Sequence, residues 1–172
     1  PRDIKYSESR KKAHWSNVQR CGSIWSCPVC AKQITEKRRQ ELKTGLNTCK
    51  THFKGSVYLL TLTFSHSPDQ SLRNNLSGLK RAMKRFYETT RVQAIFKELG
   101  VHHKIKGLEV TYGKNGWHPH HHVLLLADYH NLGFKDYQNE LTGLWIKACI
   151  NSGLNAPSLK NGLDMRDGYS AE

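Results

Sequence analysis

The chain has 172 residues, with 27 Lys+Arg against 14 Asp+Glu and a formal charge of +13. That length supports one substantial core with a small satellite module, and the charge favours polyanions, nucleic acid first and anionic membrane second. No apolar run approaches the ~20 residues that span a bilayer, and the N-terminus lacks the apolar stretch of a secretory signal, so a cytoplasmic protein without a membrane partner is expected.

Residues 1–20 are polar and basic with no clear period. The start lacks Met and the chain stops at Glu172, which reads as a trimmed piece of a longer protein. Five cysteines are an odd number for a disulfide framework, and three cluster in Cys21-Gly-Ser-Ile-Trp-Ser-Cys27-Pro-Val-Cys30. Two thiolates at Cys-x-x-Cys spacing grip one zinc, with Cys21 placed as a third ligand. His14 is the first choice for the fourth, with Cys49 and His52 behind it. A redox Cys-x-x-Cys is the rival reading, although such pairs normally join a strand to a helix in a thioredoxin-like unit. Cys149, in an apolar stretch, reads as a small buried hydrophobe.

Lys32 to Leu46 reads as a charged helix that closes a first module of residues 1–50; a second module follows over 51–172. Val57–Phe64 is a strand by its β-branched and aromatic content, and Ser65–Asp69 is a loop broken by Pro68. From Leu72 to Leu99 the apolar spacing suits one long amphipathic helix or two shorter ones, with Gly100 as C-cap. Its other face carries Lys80, Arg81, Lys84 and Arg85, which join Arg38 and Arg39 as a set for phosphate contact. His103–Tyr112 and His118–Leu126 read as a hairpin joined by Gly113-Lys-Asn-Gly116. A helix over Asp136–Ile150 and a strand over Leu163–Arg166 complete the order β-α-β-β-α-β. That order predicts an α+β fold, an antiparallel sheet with helices packed on one face.

Four of the ten histidines fall in His118-Pro-His120-His121-His122, directly before Val123-Leu-Leu-Leu126. Strand periodicity turns His120 and His122 to the same side, their Cα atoms about 6–7 Å apart. Glu109 is the only carboxylate on the first hairpin strand and supplies a third ligand. Two imidazoles and one carboxylate leave positions for water or a phosphate oxygen and favour Mg²⁺ or Mn²⁺, although imidazoles also accept Zn²⁺. The blander alternative is a solvent-exposed histidine-rich turn with adventitious affinity. His121 points to the opposite face as a packing residue, and His118, before Pro119, is placed to touch substrate.

Four strings carry a family resemblance. Gly116-Trp-His-Pro-His-His-His-Val-Leu-Leu125 resembles the HUH (His-hydrophobe-His) motif of rolling-circle replication initiators, the plasmid and phage Rep proteins. Cys21–Cys30 is similar to their zinc knuckle, Leu60-Thr-Leu-Thr-Phe-Ser-His66 to their first strand motif, and Leu108–Trp117 to the approach to the HUH strand. The resemblance runs from His14 to the end of the chain. It implies an HUH endonuclease with a ferredoxin/RRM-like core, in which His120, His122 and Glu109 hold the metal. A tyrosine hydroxyl attacks a DNA phosphodiester, leaving a 5′-phosphotyrosine and a free 3′-OH. The implied substrate is single-stranded or origin-hairpin DNA, with a host helicase as a further partner.

In Rep-type members the nucleophile follows the HUH strand, on a helix bearing Tyr-x-x-Lys or two tyrosines four apart. Tyr169 is the only tyrosine in that region, although Glu172 stands where the lysine would; a tyrosine just beyond Glu172 is the other choice. The first motif puts Thr61, Thr63 and His66 near DNA, and Trp15, Trp25 and Trp117 are candidates for stacking on unpaired bases. His121 departs from the family pattern, which has a bulky hydrophobe there. An HUH transposase fits the same strings, whereas a relaxase would carry its nucleophile before the HUH strand. A zinc-knuckle DNA-binding module without catalysis is the competing class. A non-haem iron oxygenase would also use two histidines and a carboxylate, but leaves the charge unexplained.

Overall fold

A computed structural model describes residues 3–17, 19–128 and 134–169, and the chain divides into two units, Pro1–Gly45 and Leu46–Glu172. The first unit opens with a hairpin of β1 (Ile4–Ser7) and β2 (Lys12–Trp15), in which Ile4 pairs with Trp15 and Lys5 with His14. The sequence gives no sign of it because all these residues except Ser7 are exposed, so neither face selects apolar side chains. Helix α1 (Pro28–Thr51) begins earlier and runs further than the charged segment suggests, ending within the second unit. Pro28 supplies the preset φ of a first helical position, and Ala31 N–H closes the first turn onto Cys27 O at 2.8 Å.

The second unit contains β3 (Ser56–Leu62), α2 (Leu72–Glu88), α3 (Thr90–Glu98), β4 (Val101–Gly113), β5 (Gly116–Ala127), α4 (Phe134–Ile150) and β6 (Leu163–Asp167). Its strands form an antiparallel sheet in the order β4-β5-β3-β6, so the class is α+β. The Leu72–Leu99 stretch is two helices. Thr89 adopts an extended ψ of 123° between them, and its hydroxyl donates to Arg85 O at 2.9 Å. Ser71 caps α2 by accepting from Asn74 N–H, and Gly100, at φ +65, takes the left-handed turn after α3.

Alternation along β5 sorts the sheet into two faces. Val123, Leu125 and Ala127 are buried with Leu60, Leu62, Leu163 and Met165 beneath Leu79, Met83 and Phe86 of α2 and Leu141 and Trp145 of α4. Trp145 is fully buried, meets Phe86 edge-on at 5.6 Å, and donates its indole N–H to Thr63 O at 2.6 Å. The other face carries the even-numbered residues His118, His120, His122, Leu124 and Leu126. Among the described residues no helix is long and apolar enough to cross a membrane.

Candidate metal centre

Strand register builds the site. Across β4 and β5, Glu109 pairs with His120 and Gly107 with His122; across β3 and β5, Thr61 pairs with His122. Gly107 has no side chain to stand opposite His122, so the Glu109 carboxylate reaches both rings. Its Oε2 lies 3.2 Å from His120 Nε2 and 3.2 Å from His122 Nε2. The donor atoms of the three residues all lie within 4.8 Å of one another, a set able to hold a metal ion. The His120 side chain is 12% exposed, against 39% for His122 and 53% for Glu109. The set is therefore anchored at His120 and open to ligands at Glu109.

The hydrogen bonds of the rings bear on which nitrogens are bare. His120 Nδ1 lies 3.4 Å from His118 O, and a carbonyl only accepts, so the proton belongs on Nδ1. In the neutral ring Nε2 then turns a lone pair toward a Glu109 oxygen, the form able to ligate a cation; a proton on Nε2 would make the two an ion pair instead. His122 Nδ1 lies 3.1 Å from Thr61 Oγ1, which can donate or accept.

Beyond His120 the row of rings continues. His118 stands 5.0 Å from His120 and 4.5 Å from His66 between centroids, with the Nδ1 atoms of His66 and His118 3.2 Å apart. Burial, and then the neighbouring His66 and His120, push the His118 imidazole below its ordinary value. The structure thus brings two sequence candidates 52 residues apart to the edge of the triad. His121 faces the helix side; its Nδ1 lies 3.2 Å from Gly107 O, and burial holds it below the usual imidazole range. A mostly neutral ring tolerates the position where a hydrophobe is expected.

Several residues expected at DNA have partners within the protein. Thr61 is engaged with His122, and the Thr63 hydroxyl donates to Asn161 O at 2.8 Å, so both hydroxyls have partners inside the protein. The basic residues of α2 do not form one surface. Lys80 and Lys84 line a cleft of about 610 Å³ with Met83, Tyr87 and Leu108, on the helix-covered side of the sheet away from the triad. Arg81 instead donates to Ser152 O at 2.8 Å, and Arg85 lines a separate cleft beside Lys147. Lys106, which the sequence reading passed over, lines the first cleft with Lys80 and Lys84. Its signal was the period-two pair Lys104-x-Lys106: both ammonium groups lie over the Tyr87 ring, at 4.6 and 4.5 Å. Trp15 and Trp25 are exposed, and Trp117 meets Tyr112 edge-on at 4.8 Å.

Tyr169 stands apart from the triad. Because β6 runs antiparallel to β3, it leaves the sheet at the end opposite the triad: Asp167 pairs with Tyr58, and Gly168 N–H donates to Val57 O. The Tyr169 hydroxyl donates to Gly55 O at 3.0 Å. About 20 Å of strand separates Gly55 from Thr61, the neighbour of His122, at ~3.3 Å per residue. Burial, and then Cys49, also raise the hydroxyl well above the ordinary tyrosine value. In this structure the Tyr169 hydroxyl is engaged by Gly55 O and lies away from the triad.

A second set able to hold a metal lies in the first unit, where the sulfurs of Cys21, Cys27 and Cys30 are within 4.8 Å of one another. Cys21 and Cys30 are 3.8 Å apart. Cys27 precedes α1, accepts from Cys30 N–H at 3.5 Å, and is thereby held below the ordinary thiol value, as suits a ligand at a helix N-terminus. His14, the expected fourth ligand, lies on exposed β2 and is not in this set. Cys49 belongs to the second unit, buried beside Gly55.

A family model described as "Replication protein" matches residues 12–151. The curated relatives include a "Protein rep" of Streptomyces lividans, 29% identical over 64% of this chain and 30% of its own length. A "Protein rep" of Staphylococcus aureus is 27% identical over 69% of this chain and 52% of its own. A "Neomycin resistance protein" of Streptomyces cyanogenus is 27% identical over 63% and 30%. The chain thus spans between about a third and a half of these relatives. No solved structure matches. The family match runs through the cysteine set and the Glu109–His120–His122 set alike, and the chain belongs to the replication protein family, in line with its resemblance to rolling-circle initiators.

Proposed function

We propose that this chain carries the DNA-cleaving centre of a rolling-circle replication initiator, an HUH endonuclease that nicks one strand at a replication origin through a 5′-phosphotyrosine and rejoins it. The observation that carries this is His120 Nε2 facing Glu109 Oε2 at 3.2 Å, with Nδ1 against a carbonyl. Two facing acceptors on a half-exposed sheet face suit a divalent cation, and the oxygen-and-imidazole donor set fits Mg²⁺ or Mn²⁺. Bound there, such a cation would polarise the scissile phosphate and offset the charge that gathers on it during attack.

The residues of the chain do the rest. The buried strand behind His120 fixes both imidazoles, Glu109 supplies the negative charge, and the open side at Glu109 admits the phosphodiester. His118 and His66 lie next along the same face, where an adjoining stretch of single strand would run. The attacking hydroxyl belongs to a tyrosine other than Tyr169. The cysteine set is a structural zinc knuckle, and the excess positive charge draws single-stranded or hairpin origin DNA to a cytoplasmic enzyme that works with a host helicase.

The test is covalent trapping. The complete protein, incubated with Mn²⁺ and a single-stranded oligonucleotide of its replicon's origin, is expected to give a protein–DNA adduct on a denaturing gel. Peptide mapping should place it on a tyrosine outside Tyr169, and Glu109→Gln should abolish it. Failure to form an adduct with any divalent cation would sink the nickase reading.

A further inference from the structure

We infer that Thr61 is a positioning residue of the Glu109–His120–His122 centre, its hydroxyl setting which nitrogen of His122 carries the proton. This rests on the metal-centre reading above and adds an element to it.

The register makes the contact unavoidable. Thr61 and His122 are direct partners across β3 and β5, both half-buried and on the same face, with Oγ1 3.1 Å from Nδ1. His122 is held at both nitrogens, by Thr61 at Nδ1 and by Glu109 at Nε2. A neutral imidazole has one N–H to share between them. If Thr61 accepts from Nδ1–H, Nε2 presents a bare lone pair toward Glu109, the form a cation requires. If Thr61 donates to Nδ1, Nε2–H donates to the carboxylate, the form that suits an empty centre.

A hydroxyl serves both forms by rotating its hydrogen while the oxygen stays in place. On passing between them Nε2 gives its proton to solvent and Nδ1 takes one from solvent, while the Thr61 hydroxyl keeps its own, so no proton is gained or lost overall. His120 has no such choice, since its Nδ1 faces His118 O, which only accepts. The centre therefore pairs one imidazole of fixed tautomer with one whose tautomer Thr61 adjusts. When Oγ1 accepts from His122 its own hydrogen is free to turn away, toward β6, where Asp164 is Thr61's register partner on the same face.

The plain alternative is that Thr61 is there for β-propensity. Valine separates the two, because it keeps the branched shape and strand preference while removing the hydroxyl. Loss of an outer partner of a metal-bound histidine typically weakens metal affinity ~10–100-fold. Full-length protein holding one zinc per chain, on the cysteines, with the sheet centre free of metal, would be titrated with Mn²⁺, following free Mn²⁺ by electron paramagnetic resonance. Thr61→Val is expected to bind ~10–100-fold more weakly than wild type, and Thr61→Ser within a few-fold of it.

A second readout needs no variant. Nitrogen-15 NMR of wild-type His122 should show its proton on Nδ1 once Mg²⁺ is added. Thr61→Val with wild-type affinity, or a His122 proton that stays on Nε2 with Mg²⁺ bound, would overturn the role while leaving the metal centre intact. Wild-type protein showing no Mn²⁺ uptake sensitive to Glu109→Gln would overturn the centre and Thr61's role together.

Discussion

Glu109 and His120 are register partners across β4 and β5, and their Oε2 and Nε2 atoms stand 3.2 Å apart. His120 is the most buried of the three candidate ligands, so its loss should cost more than that of a rim residue. His120→Ala is expected to abolish Mn²⁺ uptake at the sheet, and Glu109→Gln, which keeps shape but removes charge, to weaken it by more than the ~10–100-fold of an outer partner. Isothermal titration would measure both. Glu109→Gln with wild-type affinity would show that the carboxylate is no ligand.

Tyr169 gives a prediction of opposite sign. Its hydroxyl donates to Gly55 O, and the Lys50 ammonium lies 5.3 Å from its ring centre. Tyr169→Phe should leave the covalent adduct yield unchanged and lower stability by about 1 kcal/mol, the net worth of one hydrogen bond. Urea unfolding beside the gel assay checks both. Loss of the adduct without loss of stability would restore Tyr169 to the chemistry.

The contrast between these two sites shows what a sequence makes legible. Parity along a strand is a local rule, so the shared face of His120 and His122 can be read directly, and Glu109 follows once the hairpin is recognised. Tyr169 depends on which end of the sheet β6 reaches, and that is decided by antiparallel pairing with β3, more than a hundred residues earlier. The break at Thr89 is written only as a phase slip: on one continuous helix Val92, Ile95 and Leu99 would fall on the side opposite Leu79, Met83 and Phe86. Lys106 hides because basic residues are weighed on helix faces, whereas here a strand delivers one into a cleft floored by α2. The β1–β2 hairpin, exposed on nearly every residue, leaves no hydrophobic alternation to find.

The cysteine set makes a prediction about metal removal. If Cys21, Cys27 and Cys30 share a zinc ion, a chelator should expose three thiols to a colorimetric thiol reagent at pH 8. Cys149 should stay silent throughout, because it is fully buried and burial pushes its thiol up to about 12. Mass mapping identifies the labelled residues. Equal labelling of Cys21 before and after chelation, in protein purified with zinc, would rule the knuckle out.

Arg91 ties α3 to α4, and its loss should be felt only when its partners are ionised. Its guanidinium holds both oxygens of Glu140, at 2.6 and 2.9 Å, and one of Glu98 at 3.0 Å. Arg91 keeps the Glu140 carboxyl below its ordinary value. A carboxylate whose value is lowered by folding stabilises the fold above its unfolded value, near 4.3, and loses that contribution as pH falls through the folded one. Arg91→Met should therefore unfold at lower urea than wild type at pH 7, and the two midpoints should converge as the pH is taken down toward 3. The residues are about two-fifths exposed, so the gap is expected to be small and to shrink with added salt. A gap that persists undiminished in acid would assign the effect to the packing of the arginine stem, not to the ion pair.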